Sequence, residues 1–347
     1  MLDHPRFEPV LLISPSLGYP DAENVLMDYC NNKGYKYCLI DSDSPIGKQV
    51  KVDMVTPQKP YYYEIPFAHQ PERNKILPYV VIPYFLSTIT VPWSVNQRMS
   101  LLCWRQFIDN DSCREAWSKM HKLKGLTYEV TGLPVMDELL TPKEELEDVW
   151  LNNDRRKRII YAPHHTIADM HWEGIGYSTF LENCDFMLEM RDKYKDNVYF
   201  VFKPHPSLRD RLLKYWGEEK TNAYYEKWEQ NGNSHIELGK YLSLFKYSDA
   251  MIHDCSSFTV EYMYTENPVM YLLRDEHHAD NMIPYAKEAF DLHYQGRTHE
   301  DIEQFIVNVI EGNDPMKEKR VQFKKKHLLP PNGKSASENI IDSILEK

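Results

Sequence analysis

Apolar and polar positions alternate in blocks along this chain, and the blocks switch between strand and helix periods. Pro9 to Ser14 is a short apolar run that predicts a strand, and Asp21 to Asn32 predicts a helix with Ala22, Val25, Leu26 and Tyr29 on one side. Tyr35 to Ile40 and Val52 to Thr56 predict further strands, then Tyr79 to Pro83 a buried one. Helical spacing of Met99, Leu102, Cys103, Gln106, Phe107 and Trp117 predicts one long helix from Val95 to about Lys122. Tyr128 to Gly132 closes this half as a strand and turn. Thr141 to Lys157 is charged and polar apart from Leu146, Val149, Trp150 and Leu151, and reads as an inter-domain connection. A second alternation follows: strand 158–161, helix about 177–194, strand 198–202, helices about 207–216 and 240–247, strand 250–253, helix 257–265, strand 268–273 and helix 301–311. A last helix, Ser335 to Glu346, comes after the Pro-Pro-Asn-Gly break at 330–333. The pattern predicts an α/β chain of two Rossmann-like parallel-sheet domains facing a cleft, and domain interfaces are favoured ligand sites.

Three predicted strand ends carry polar residues. Arg158-Ile159-Ile160-Tyr161 runs into Ala162-Pro163-His164-His165-Thr166, and Val198 to Phe202 runs into Lys203-Pro204-His205-Pro206. The two prolines cannot continue a ladder and hold His205 in extended geometry. The third end, Ala250-Met251-Ile252-His253, delivers Asp254, Ser256 and Ser257 where the next helix begins. Helix starts carry free N–H groups and positive potential, so serines there suit phosphate as well as an ordinary N-cap. Glu261, four residues after Ser257, is placed one turn deeper on the same face, suited to a sugar hydroxyl or simply to solvent. A lone histidine after a strand is more often structural than catalytic; three polar strand ends in one array are harder to dismiss.

Bulk properties narrow the partners. At 347 residues the chain exceeds one ordinary core, and 42% hydrophobic with 13% aromatic residues indicates packed globular domains. A formal charge of −11 argues against nucleic acid as the main partner, without excluding an anionic nucleotide held by local fields. Cys30, Cys38, Cys103, Cys113, Cys184 and Cys255 form no CxxC pair and read as free thiols of a reducing cytosol. No apolar run reaches membrane-spanning length and the start lacks a signal-peptide pattern, so a cytoplasmic location is expected. The basic run Lys317 to Lys326 suits peripheral contact with the inner face of the cell membrane, though such runs are ordinarily a solvated face.

The chain resembles the CDP-glycerol glycerophosphotransferase family of teichoic-acid and capsule polymer enzymes. The resemblance rests on Tyr161-Ala162-Pro163-His164-His165-Thr166, Lys203-Pro204-His205-Pro206 and His253-Asp254-Cys255-Ser256-Ser257. It extends to Thr131-Gly132-Leu133-Pro134 with Asp137, Asn267 to Tyr271, Gly333 to Ile340, Gln58-Lys59-Pro60-Tyr61 and Ile82-Pro83-Tyr84. It implies the glycosyltransferase-B architecture: a first domain at 1–140, shortened at its start; a linker at 141–157; a nucleotide-binding domain at 158–330; and a terminal helix at 331–347 crossing back to the first domain through Ile340, Ile341 and Leu345. It also implies transfer of glycerol phosphate, or a similar polyol phosphate, from CDP-glycerol to a polymer or lipid-linked acceptor, with release of CMP. The family places the HP-motif histidine and the paired serines around the donor diphosphate, roles carried here to His205, Ser256 and Ser257, and to Glu261 as a ribose contact.

His205 is therefore expected to stabilise the leaving group, with Lys203, Asp254 and Thr166 completing the substrate site. His164 and His165 are the nearest candidates for the acceptor's base, His69 and His293 weaker ones, because the segment Ile82 to Thr88 lacks the histidine that family polymerases carry in the first domain. No DxD or metal-ligand cluster stands out; no tightly bound metal or cofactor is expected, a loosely held magnesium with the nucleotide being the alternative. The rival readings are a glycosyltransferase using a CMP- or UDP-sugar, and a catalytically idle nucleotide-binding partner subunit.

Overall fold

Short apolar runs between helices become parallel strands in two unequal sheets and a separate pair. The computed structural model describes residues 4–14, 22–57, 65–86, 88–89, 95–167, 176–230, 232–239, 241–275 and 277–346. Strands β1 (Leu11–Ile13) and β2 (Tyr37–Leu39) pair with each other. Strands β3 (Val80–Val81), β4 (Arg105–Ile108) and β5 (Tyr128–Val130) form a three-stranded sheet in that order. The larger sheet contains β6 (Lys157–Ala162), β7 (Val198–Phe202), β8 (Ser234–Ile236), β9 (Ala250–His253), β10 (Val269–Leu272) and β11 (Tyr294–Gly296). Its order is β11-β10-β9-β6-β7-β8, all parallel. The chain winds outward from β6 to β8, then returns beside β6 and winds the other way. The order thus reverses between β6 and β9, and ligand crevices in open α/β sheets lie at such reversals, outside the carboxyl ends of the strands.

Both faces of the larger sheet are covered, so its strands are apolar on both sides. Ile159, Tyr161, Phe200, Phe202 and Ile252 pack under helices Phe180–Lys193, Glu218–Glu229 and His299–Glu311. The alternate residues Ile160, Val201, Met251 and Tyr271 face helices Tyr241–Tyr247, Pro284–Phe290 and Lys317–His327. That second cluster continues into the first half of the chain through Leu86, Cys113, Leu133, Met136 and Leu139. Across the same boundary the Tyr285 hydroxyl donates to Asp109 Oδ2 at 2.6 Å and Lys246 Nζ donates to the Leu139 carbonyl at 2.6 Å.

The predicted long helix from Val95 to Lys122 does not exist. Arg98–Leu102 is a short helix, Arg105–Ile108 is the buried central strand of the small sheet, and Asp111–Met120 is a separate helix. Residues that sat at helical spacing are shared between a helix and a strand, and the break is chemical: the Asn110 side chain caps the second helix by accepting from Cys113 N at 2.8 Å. Val52 to Thr56 contributes only an isolated bridge, Val55 to Tyr79. Helices Glu218–Glu229 and Pro284–Phe290 and strands β8 and β11 lie where no element was predicted. The helix Ala22–Lys33 forms, but Val25, Leu26 and Tyr29 are exposed rather than facing a core. Gln58 to Tyr61 lies outside the described residues.

The terminal helix, Ala336–Leu345, packs on the small sheet. Ile340 is buried against Val80 and Phe107, Arg105 donates to the Ser343 carbonyl at 2.7 Å, and Ile341 and Leu345 are half-buried. Two motifs far apart in sequence meet at its start. Asp137 accepts from Ala336 N at 2.8 Å and Ser337 N at 2.9 Å, satisfying free donors of the helix N-terminus. Gly132, at φ +87°, lets the chain pass so close that a Cβ there would lie 2.9 Å from Ala336 Cβ.

Candidate active site

The carboxyl ends of β6, β7 and β9 open onto one cavity of 330 Å³. His164, Lys203, His205, Ser256 and Ser257 line it, with Tyr177, and the opposite wall is Phe85, Leu86, Thr88 and Ile89 from the segment after β3. The cavity therefore lies at the strand-order reversal and between the two sheets.

Hydrogen bonding fixes the ring orientations. Ser207 N donates to His205 Nδ1 at 3.1 Å, so this nitrogen carries the lone pair and Nε2 carries the proton. Thr166 Oγ1 accepts from Tyr177 N at 3.0 Å and Ser178 N at 3.3 Å, which leaves its own proton for His164 Nδ1 at 2.9 Å. His164 is thereby also an Nε2–H tautomer. Burial, followed by neighbouring imidazoles, lowers His164 to about 2; burial, His165, Lys203 and Arg211 lower His205 to about 4. Both rings are neutral donors at neutral pH.

His165 packs on His205 with ring centroids 4.2 Å apart, and its buried Nδ1 has no hydrogen-bond partner among the described residues. It does not line the cavity. Ligand atoms of the three histidines lie within 4.8 Å of one another, close enough for a metal ion. Metal binding needs ring lone pairs, and here the Nδ1 lone pairs of His164 and His205 are engaged while Nε2 is protonated. Two such N–H groups suit an anion.

Asp254 does not line the cavity. It is fully buried, and its carboxylate accepts from His164 N at 2.5 Å, Thr179 N at 2.6 Å and Thr179 Oγ1 at 3.1 Å. Burial raises its pKa to about 6 against these bonds. Thr166 is likewise a loop clamp. Neither Ser256 nor Ser257 caps the short helix Phe258–Glu261, so their hydroxyls remain for other partners. Thr179 and Tyr177 were missed because the sequence pattern placed Tyr177 at the start of a helix that in fact begins at Phe180.

Glu261 is 4% exposed and off the cavity wall. Burial raises its pKa to about 7, opposed by Lys203, whose own ammonium burial pushes down. A carboxyl raised in the folded state contributes most stability while protonated and loses it as pH rises from its unfolded value, 4.5, through about 7. Relative to wild type, Glu261→Gln is thus expected to gain melting temperature as pH rises from 5 to 8. A constant difference across that range would contradict the assignment. His69 and His293 are structural: His69 Nε2 meets the Asp41 carbonyl at 2.7 Å, and His293 Nδ1 meets the Ala289 carbonyl at 2.8 Å.

The basic run lies on the helix Lys317–His327, where Arg320 and Phe323 are buried and Lys324 and Lys326 pair with Glu266 and Glu288 at 3.1 and 2.9 Å. All six cysteines are free and five are buried. Among the described residues no helix is long and apolar enough to cross a membrane.

Comparison with known proteins adds three findings. The family described as CDP-Glycerol:Poly(glycerophosphate) glycerophosphotransferase matches residues 106–346. No curated protein matches the chain by sequence. Among solved structures, the wall teichoic acid polymerase TagF superposes with a TM-score of 0.59 at 15% identity, covering 98% of this chain and 89% of that one. UDP-GlcNAc 2-epimerase from Neisseria meningitidis, bound to UDP-GlcNAc, gives 0.60 at 17% identity, covering 100% and 94%. A TagF variant soaked with CDPG gives 0.58 at 14% identity, covering 97% and 89%. At these identities the superpositions show the fold, an α/β arrangement of parallel sheets like that of glycosyltransferase-B proteins.

Proposed function

This chain belongs to the CDP-glycerol:poly(glycerophosphate) glycerophosphotransferase family, and on that footing we propose that it moves glycerol phosphate, or a similar polyol phosphate, from a CDP-activated donor to a hydroxyl of a cell-wall or capsular polymer, releasing CMP. The observation that carries this reading is the convergence of His164, Lys203, His205, Ser256 and Ser257 on one cavity. At 330 Å³ it is at the small end of ligand pockets, suited to the phosphate-bearing part of a donor whose nucleoside extends beyond.

In the reaction the acceptor oxygen bonds to the β-phosphorus and its proton passes to solvent, the bond from that phosphorus to the bridging oxygen breaks, and CMP leaves with the electron pair. The His205 Nε2–H is assigned to the bridging oxygen, where charge develops, with His164 Nε2–H and Lys203 on the neighbouring oxygens. A low-dielectric, donor-rich wall of this kind stabilises a leaving phosphate more than the same groups would in water. The β-phosphorus also carries the glycerol ester, so its substitution is of the phosphodiester type, and at a site whose lining histidines are poorly basic the larger share of catalysis falls to stabilising the departing CMP. His165 holds the His205 ring rather than meeting the acceptor.

Wild-type protein with radiolabelled CDP-glycerol and a polymer primer is expected to transfer label to polymer and release CMP stoichiometrically. Thermal shift with CDP-glycerol, CDP-ribitol, CMP-sugars and UDP-sugars assigns the donor. Selective stabilisation by a CMP- or UDP-sugar would replace this reading with a glycosyltransferase. His164 and His205 on the cavity wall are both held well below neutral, which favours, as a second reading, an idle nucleotide-binding subunit, recognised by binding without turnover on any acceptor.

A further inference from the structure

Three hydroxyls from separate parts of the chain converge on the cavity wall. Thr88 Oγ1 lies 2.8 Å from Ser256 Oγ, and Tyr177 lines the same cavity beside them. Thr88 comes from the segment after β3, and that segment is fastened to the larger sheet's side of the cleft. The Thr88 carbonyl accepts from Ile283 N at 3.0 Å, and Ile89 forms an antiparallel bridge with Met282. Tyr177 stands edge-on to His164 with ring centroids 5.4 Å apart. Thr88 and Tyr177 are 5% and 7% exposed, yet both line the cavity. Burial raises the Tyr177 phenol, which keeps its proton for donation.

The Thr88 and Ser256 hydroxyls, in contact with each other, and the Tyr177 phenol have three protons to give and can turn about their C–O bonds. A phosphate in the cavity offers all three a charge-assisted acceptor stronger than a neighbouring hydroxyl. The His164 and His205 N–H groups open onto the same cavity, so the hydroxyls extend a donor surface rather than forming an isolated cluster.

We propose that Thr88 and Tyr177 join Ser256 in binding the non-bridging oxygens of the transferred phosphate, so that the segment after β3 supplies a phosphate ligand directly as well as closing the cleft. The inference rests on the donor reading above. It separates two roles of Thr88, since a mere latch between the two sheets would affect stability without distinguishing phosphate from nucleoside.

The test compares wild type, Thr88→Val, Thr88→Ser and Tyr177→Phe by calorimetry with CDP-glycerol, CDP and inorganic pyrophosphate, and by ligand-observed NMR with cytidine. Thr88→Val is expected to weaken each phosphate compound roughly tenfold or more, because a bond to a charged group is lost. Cytidine binding should be unchanged, and Thr88→Ser should retain phosphate affinity. Tyr177→Phe should act in the same direction. A folded Thr88→Val with unchanged phosphate affinity, or with cytidine weakened as much as CDP, overturns the proposal. If Thr88→Val fails to fold, Tyr177→Phe decides by the same criteria. Wild type that binds pyrophosphate but no CDP compound removes the donor reading, and the Thr88→Val effect on pyrophosphate still decides this one. Wild type that binds no phosphate compound overturns both.

Discussion

His205→Ala is expected to lower turnover of polyol-phosphate transfer roughly a hundredfold or more, the usual cost of deleting one donor aimed at developing charge. The reason is local and geometric. Pro204 and Pro206 fix the backbone at the end of β7, Ser207 N holds Nδ1, and Nε2–H is left as the donor on the cavity side. Because burial and the neighbouring His165, Lys203 and Arg211 hold the ring near 4, it acts as a neutral donor in the free enzyme. The pH profile of kcat/KM, which reports the free enzyme, should therefore show no limb from this histidine between pH 6 and 8. A limb near 6.5 that disappears in the variant would mean the cation is the active form. His205→Asn separates chemistry from loop structure, since its side-chain oxygen can take over the Ser207 N–H without reaching as far as Nε2. It should melt close to wild type and remain as inactive as the alanine variant. Full turnover in either variant would remove His205 from the reaction.

Much of the larger sheet was legible because its strands are buried on both faces and therefore read as unbroken apolar runs, as in Val198 to Phe202. The polar strand ends were legible for a related reason: Lys203 to Pro206 cannot continue a ladder, so the change of chemistry marks the strand's end. The central strand of the small sheet was not legible. Arg105 and Gln106 are buried polar residues, and Arg105 pairs with Glu129 and with Ser343 on the terminal helix, partners that no local pattern displays. Strands β8 and β11 were missed because Ser234-His235-Ile236 and Tyr294-Gln295-Gly296 contain no apolar run. Within the site, residue types pointed to the right strand ends but not to the division of labour. Asp254 resembled a ligand in sequence and is a buried tie, whereas Thr88 and Tyr177 resembled nothing and line the cavity. Burial and cross-chain hydrogen bonds make that distinction, and neither follows from spacing.

Asp254→Asn, a change of one atom, is expected to disable the site while leaving the fold assembled. The carboxylate is the shared acceptor for His164 N, Thr179 N and Thr179 Oγ1, and it joins the loop after β6 to the segment before the helix Phe180–Lys193. An amide has only one acceptor oxygen. If that oxygen serves Thr179, the NH2 group faces His164 N–H, donor against donor, in a fully buried position. Leaving such a group unsatisfied costs about 1–3 kcal/mol, and the least expensive relief is movement of the His164 loop. Melting temperature should fall, and donor affinity and turnover should fall with it because His164 leaves its place on the cavity wall. Wild type provides an internal check through pH. Its Asp254 carboxyl, raised to about 6, takes up a proton as pH falls through that value and weakens its hold on His164 N. Because the folded pKa is raised, this group's contribution to stability grows on acidification while the site loosens. Wild-type turnover should therefore show an acid limb near pH 6 without loss of stability from this residue. The limb should be absent from the residual activity of Asp254→Asn. A variant with wild-type donor affinity and the same acid limb would show that Asp254 does not position His164.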